Sequence, residues 1–448
     1  MVYDPKQLTI SGDLFRIIND SSSWDQFGQD IYGDQPNDRC GIVSLSSDGT
    51  ILAIGTTHSD ISGNNSGLVK VYEFKSGNWV QIGSDIKGDS INDLFGSSLS
   101  LSSDGKILAI GAIQTNSKGY VKVYEFENLS WNQLGNTFYG EVDDNDFGFS
   151  VSLSSNGKIL AIGEIRNLNN SGYVSVYEFE NLSWNQLGNT FYGETSNQYF
   201  GHSLSLSSDG TILAFGALGY NSFLGVTRIY KYDYTDNSWN ILGSDIYGES
   251  PGDTSGYSVS LSSDGTIVAI GAIQNTGEGA GVSNGHIRVY EFYSESESWI
   301  QKGQDLDSSI MHLYFGFSVA LSSDGIILAG GGTGGGGKVG IYEFYSDSES
   351  WVQKGSYFNG YGANDNFGRS LSLSSDGTIV AIGGIYNNIN GTESGFVQVY
   401  KLNKPPIESI VLTPENIITD LYVSLEIKLT FNSSSAPSIT IDPSYIAY

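Results

Sequence analysis

Apolar positions along this chain recur with a period of two, in short bursts, not with the 3.6-residue period of a helix. FGFSVSLS (Phe147–Ser154) alternates, with Val151 and Leu153 on one face, and predicts a strand with one buried side. TIVAIGA (Thr266–Ala272) is continuously apolar and predicts a strand buried on both faces. A third pattern is GYVKVYEF (Gly119–Phe126), and a fourth is WNQLGNTFYG (Trp131–Gly140). An Asp-Gly pair between the first two predicts a two-residue hairpin, because glycine takes positive φ freely. A Gly/Asn/Ser loop of variable length separates the second and third, and no segment has a helical period.

The four patterns, strands A to D, recur in step. Trp24, Trp79, Trp131, Trp184, Trp239, Trp299 and Trp351 lie 52 to 60 residues apart, each with glycine four residues on. LSSDG begins at Leu45, Leu101, Leu206, Leu261, Leu321 and Leu373, and LSSNG at Leu153. FENLSWNQLGNTFYGE occurs twice, at 126–141 and 179–194, the mark of internal duplication. Such units bury their sheet faces only by stacking on one another. The expected fold is all-β: a seven-bladed β-propeller of four-stranded antiparallel blades. An open β-solenoid competes with it, but its repeats are usually shorter and its ends exposed. Six full sets run from about Cys40 to Gly360, and the seventh, Phe367–Leu402, lacks strand D. The missing strand stands at the other end of the chain, as Trp24–Gly33, so an N-terminal strand is expected to close the ring. Leu14–Asn19 also resembles a strand C, which leaves two candidates for one position. The propeller is assigned to residues 1–403. Residues 404–448 follow a proline pair, alternate again, and read as a β extension, about half of an immunoglobulin-like sandwich.

Composition narrows the partners. A net charge of -28 sets nucleic acid and anionic membranes aside. One cysteine, Cys40, excludes an intramolecular disulfide, and no apolar run is long enough for a membrane-spanning helix. The first twenty residues lack the basic-then-apolar pattern of a signal peptide.

The repeat resembles the FG-GAP family. Its FG appears at Phe95–Gly96, Phe147–Gly148, Phe200–Gly201, Phe315–Gly316 and Phe367–Gly368, with departures at Cys40–Gly41 and Ser255–Gly256. The S-V-x-L-S-x-D-G core follows, and a Gly-Ala end stands at Gly111–Ala112, Gly216–Ala217 and Gly271–Ala272. The resemblance implies a propeller and a role in extracellular adhesion or binding. It also implies a question about calcium, which integrin-type repeats hold in the A–B turn with several carboxylates. Here that frame keeps one, Asp104, between Ser100, Ser102 and Leu108, and a plain hairpin is expected instead. WD-repeat blades are similar in S-x-D-G-x-x-L-A-x-G but close each repeat with a terminal Trp-Asp, and these repeats do not end in that way.

The D–A loops are the expected ligand-binding rim, because they are acidic: Asp38, Asp93, Asp143, Asp144, Asp146, Asp253 and Asp365. No cofactor is expected, and if the chain holds calcium the best candidates for its ligands are Asp143, Asp144 and Asp146, in EVDDNDFG, since a hard cation takes several oxygens. A solvated acidic surface is the competing reading. His58, His202, His286 and His312 share no ligand spacing, and no nucleophile elbow, phosphate loop or dinucleotide fingerprint occurs. The seven tryptophans hold one strand position, which points to blade packing. The expected function is a non-enzymatic binding, adhesion or structural protein, extracellular, on a cell surface or in a virion, meeting a protein or glycan partner with its loops. The competing readings are a lyase or glycosidase with acids converging on the central funnel, and an intracellular WD-type scaffold.

Overall fold

The computed structural model describes residues 23–114, 118–141, 146–166, 169–275, 283–403, 407–418 and 422–431. Residues 26–400 form one compact unit. It is a seven-bladed β-propeller, with strands A starting at Cys40, Phe95, Phe147, Phe200, Ser255, Ser318 and Phe367 in blades 1 to 7. Blade 2 shows the plan: Phe95–Leu101, Ile107–Ala112, Tyr120–Glu127 and Ser130–Gln133 pair antiparallel in that order. Strand A is innermost.

Strand B is buried on both faces, as its apolar run predicts. Leu52, Leu108, Leu160, Leu213, Val268, Leu328 and Val380 are all fully buried. Six of the tryptophans, Trp79 to Trp351, lie against the neighbouring blade. The indole Nε1 of Trp79, Trp184, Trp239, Trp299 and Trp351 donates to a carbonyl of the previous blade's outer strand at 2.8–3.0 Å, and Trp131 at 3.4 Å. Gly28, Gly83, Gly135, Gly188, Gly243 and Gly303, each four residues after a tryptophan, make room for the next indole. A Cβ on Gly83 would stand 2.7 Å from Trp131 Cδ1, and one on Gly243 2.8 Å from Trp299 Cδ1. Tryptophan and glycine are two halves of one contact between blades.

The N-terminal strand closes the ring. Ser23–Gln26 and Ile31–Tyr32 both pair with Phe396–Asn403, strand C of blade 7. Ile31 stands opposite Val397 and Tyr32 opposite Phe396. Leu14–Asn19, the other candidate, lies outside the described residues.

Two local expectations are corrected. Strand D is not one strand: in blade 2 it breaks into Ser130–Gln133 and Phe138–Tyr139, both on strand C. The break falls at Gly135, at positive φ, which receives Trp184. The A–B turn is not a two-residue hairpin either. Five residues, Ser46–Thr50, join strands A and B of blade 1, and Gly49 N–H donates to Ser46 O at 2.9 Å. Asp48 Oδ1 accepts from Thr50 N–H and from the Ser46 hydroxyl, so the aspartate builds the turn itself. Single helical turns occur only in B–C loops among the described residues, at Tyr220–Phe223 and Gly334–Gly336.

The C-terminal segment shows one antiparallel hairpin, Ile407–Ile418 with Tyr422–Phe431.

Candidate functional site: the two mouths of the central channel

The channel lined by strands A has two mouths of different construction. At the A–B end, the second serine of each LSSDG or LSSNG faces inward: Ser47, Ser103, Ser155, Ser208, Ser263, Ser323 and Ser375. Their backbones form a closed circle. Each N–H donates to the carbonyl of the next blade's serine at 2.8–3.0 Å, and Ser375 N–H returns to Ser47 O at 2.8 Å. Hydroxyls pair across three seams, Ser103 with Ser155, Ser208 with Ser263 and Ser323 with Ser375. The space enclosed is about 160 Å³.

The opposite mouth, on the side of the D–A and B–C loops, encloses about 430 Å³. A β-bulge at the start of strand A builds it. In blade 3, Phe147 pairs with Glu164 and Ser150 with Gly163, so Gly148 and Phe149 are left over on one strand. Bulges re-aim side chains, and here they aim one per blade into the funnel. The residues are Ser97, Phe149, His202, Tyr257, Phe317 and Arg369. Blade 1 lacks this residue, since Cys40 and Ile42 flank Gly41 alone. In its place Arg39 and His58 reach the mouth.

Four bulge residues touch in sequence around the rim. Ring centroids are 5.0 Å apart for Phe149 and His202, 4.6 Å for His202 and Tyr257, and 4.9 Å for Tyr257 and Phe317. The Arg369 guanidinium lies 5.3 Å over Phe317 and completes the arc. Across the mouth, Arg39 is held by Glu393 at 2.9 and 3.0 Å and lies 5.0 Å over the Tyr386 ring. Its third arm donates to His58 Nε2 at 2.9 Å.

Both histidines are held neutral. Burial, then the charge of Arg39, pushes His58 down to about 4. Burial dominates at His202 and takes it to about 4, against a bond to the Tyr257 carbonyl and with Arg369 adding to the fall. That bond, at 2.9 Å, places the proton on Nδ1. The lining residues include two arginines and no aspartate or glutamate. In a chain of net charge -28 this mouth is locally basic.

The fold has solved counterparts. A candidate 6-phosphogluconolactonase from Bacteroides uniformis superposes with a TM-score of 0.55 at 13% identity, covering 88% of this chain and 96% of that one. Hydrazine synthase of Kuenenia stuttgartiensis superposes with a TM-score of 0.52 at 12% identity, covering 84% and 98%. No protein-family model matches the chain, and no curated protein does. Likeness at such identities carries the propeller fold and nothing finer.

Within that fold, four of the acidic loop residues face inward. Asp93 is fully buried, and Asp38, Asp253 and Asp365 are 3–4% exposed. Their carboxylates fold the D–A loops. Asp93 Oδ2 accepts from Asp89 and Ser90 N–H, each at 2.8 Å, and from the Tyr120 hydroxyl at 2.8 Å. Asp253 accepts from Glu249 and Ser250 N–H, Asp365 from Gly362 N–H, and Asp38 from Gln35 N–H. Burial raises the Asp38 carboxyl above its ordinary value. In blade 4 the same position is Gln198, whose carbonyl accepts from Glu194 and Thr195 N–H. An uncharged acceptor does the same work there, so the position asks for an oxygen, not a charge. Asp146 pairs with Arg166 at 3.1 Å, while Asp143 and Asp144 lie outside the described residues.

Sequence reasoning passed over the bulge position. Its signal was present: the residue after FG is the one position of strand A that changes freely, reading Ser, Phe, His, Tyr, Phe and Arg in blades 2 to 7.

Proposed function

We propose that this chain is a non-enzymatic binding module that engages a protein or glycan partner through the wide mouth of its channel. The arc Phe149–His202–Tyr257–Phe317–Arg369 carries this reading. Stacked rings offer faces to sugar or aromatic groups, and Arg369 favours a partner bearing carboxylate or sulfate. The FG-GAP resemblance agrees with such a role and with a place on a cell surface or virion. A funnel glycosidase or lyase needs converging acids, and the described lining supplies none. The Bacteroides protein bears an enzyme's name, yet at 13% identity that name stays with it.

The test is a panel of neutral and anionic glycans and lactones, read for both binding and turnover. Saturable binding without product, weakened at least tenfold in Arg369→Ser, is the expected result. Turnover that Arg369→Ser abolishes would overturn the proposal in favour of an enzyme.

A further inference from the structure

Blade 5 departs from its neighbours at the outer rim of the same loop face. In four blades a basic residue of strand C holds an acid of the incoming D–A loop. The pairs are Lys70 with Asp34, Lys122 with Asp89, Arg228 with Glu194, and Arg288 with Glu249. In blades 4 and 5 the arginine also holds an aspartate of its own blade, Asp245 or Asp305. This ion-pair frame is therefore a general device between blades. Blade 5 adds two groups to it. His286 stands where blade 4 has Val226, and its register partner Asp307 stands where blade 4 has Tyr247.

His286 is 2% exposed, and its Nδ1 has no hydrogen-bond partner. Nδ1 faces Glu249 Oε2 at 3.7 Å and Asp307 Oδ1 at 3.8 Å. Both are too long for hydrogen bonds. They suit two ligand atoms sharing one ion: with metal bonds of about 2.0–2.1 Å, tetrahedral ligands lie roughly 3.4 Å apart. Ligand atoms of Glu249, His286 and Asp305 all lie within 4.8 Å of one another.

We propose that Glu249, His286 and Asp305 bind a divalent zinc-class metal ion at the rim of blade 5. An imidazole with carboxylates suits zinc better than calcium, which takes oxygen ligands throughout. Three carboxylates, counting Asp307, face the single charge of Arg288, so the pocket attracts a cation. The site is held from behind. Asn275 donates to Glu249 Oε2 at 3.0 Å, and Asp253 fixes the Glu249 backbone.

The full chain without a histidine tag is dialysed against zinc, and retained metal is measured by mass spectrometry. Melting is followed with zinc, calcium or chelator. One zinc per chain and a melting temperature raised by zinc but not by calcium are expected. His286→Val copies blade 4, and Glu249→Gln alters a partly exposed side chain. Each should weaken zinc binding at least tenfold. Absence of stoichiometric binding, or binding unchanged in both variants, would overturn the proposal.

Discussion

The two mouths of one channel are built by opposite rules. At the narrow mouth seven blades supply the same residue in the same place, and the seven serines bond to one another. At the wide mouth six blades supply five different residue types from one bulge position, and blade 1 omits it. The difference teaches which end is architecture and which is available for recognition. In the closed circle each residue donates its N–H to one neighbour and accepts on its carbonyl from the other, so a residue without an N–H breaks it. A bulge residue stands outside the paired register of strands A and B and turns its side chain into the funnel, so its identity is free.

The largest expected effect strikes the circle. Ser375→Pro removes the N–H that returns to Ser47 O, and proline suits the second position of this turn. Leaving that carbonyl unpaired should destabilise the fold by about 1–3 kcal/mol, read from the urea midpoint. Ser155→Pro should cause a similar loss, since the positions are equivalent. A midpoint unmoved by either substitution would show that the circle does not hold the blades.

Acid should separate the mouths next. His58 and His202 titrate near 4 when folded and near 6.5 when unfolded, so the unfolded chain takes up protons first. Stability at the wide mouth is complete above about 6.5 and falls as pH drops towards 4. At the narrow mouth the sign is shared but the window is lower. Burial alone would raise Asp48, Asp209, Asp264 and Asp376, yet their backbone and hydroxyl hydrogen bonds outweigh it and lower them. Their contribution is lost only as pH falls below the ordinary aspartate range. Melting temperatures of His202→Phe should therefore slope less steeply than wild type between pH 6.5 and 4, and run parallel below. Equal slopes in the upper window would remove His202 from the account.

Arg369→Ser gives the wide mouth the residue blade 2 already carries there, Ser97. It removes the guanidinium from Phe317, a contact worth about 0.5–1 kcal/mol. Stability should change by no more than that, while partner binding falls at least tenfold. A large stability loss with binding intact would reverse the roles assigned to the two ends.

Legibility in the sequence follows the same division. Trp79 and Gly83 announce the ring because each packs against a neighbouring copy, so every blade must repeat them. Trp24 standing ahead of the first strand A revealed the closure for the same reason. The candidate site was harder to read because recognition residues are the ones free of repetition. Carboxylates drew attention instead, yet Asp93 and Asp253 serve backbone N–H groups from within, as Gln198 does without charge. Charge in a sequence marks a ligand only where burial does not consume it. The His286 cluster was invisible for another reason: Glu249 and Asp305 come from two loops and His286 from a strand, and only the fold brings them together.

The smallest effect tests the uniform end at its one irregular seam. A strand A serine three residues before the circle serine accepts a hydrogen bond from the next blade's leucine N–H. Ser44, Ser100, Ser152, Ser205, Ser260 and Ser372 do so at 2.9–3.0 Å. Blade 6 has Ala320 at this position, facing Leu373 of blade 7. Ala320→Ser should supply the seventh bond and stabilise the fold by about 0.5–1 kcal/mol, a rise of a few degrees in melting temperature at most. The change should leave partner binding untouched, because it lies in the seam between strands A, away from the bulge residues. Destabilisation by this serine would mean that the blade 6–7 seam is packed differently from the other six, and that the narrow end is less uniform than its circle of serines implies.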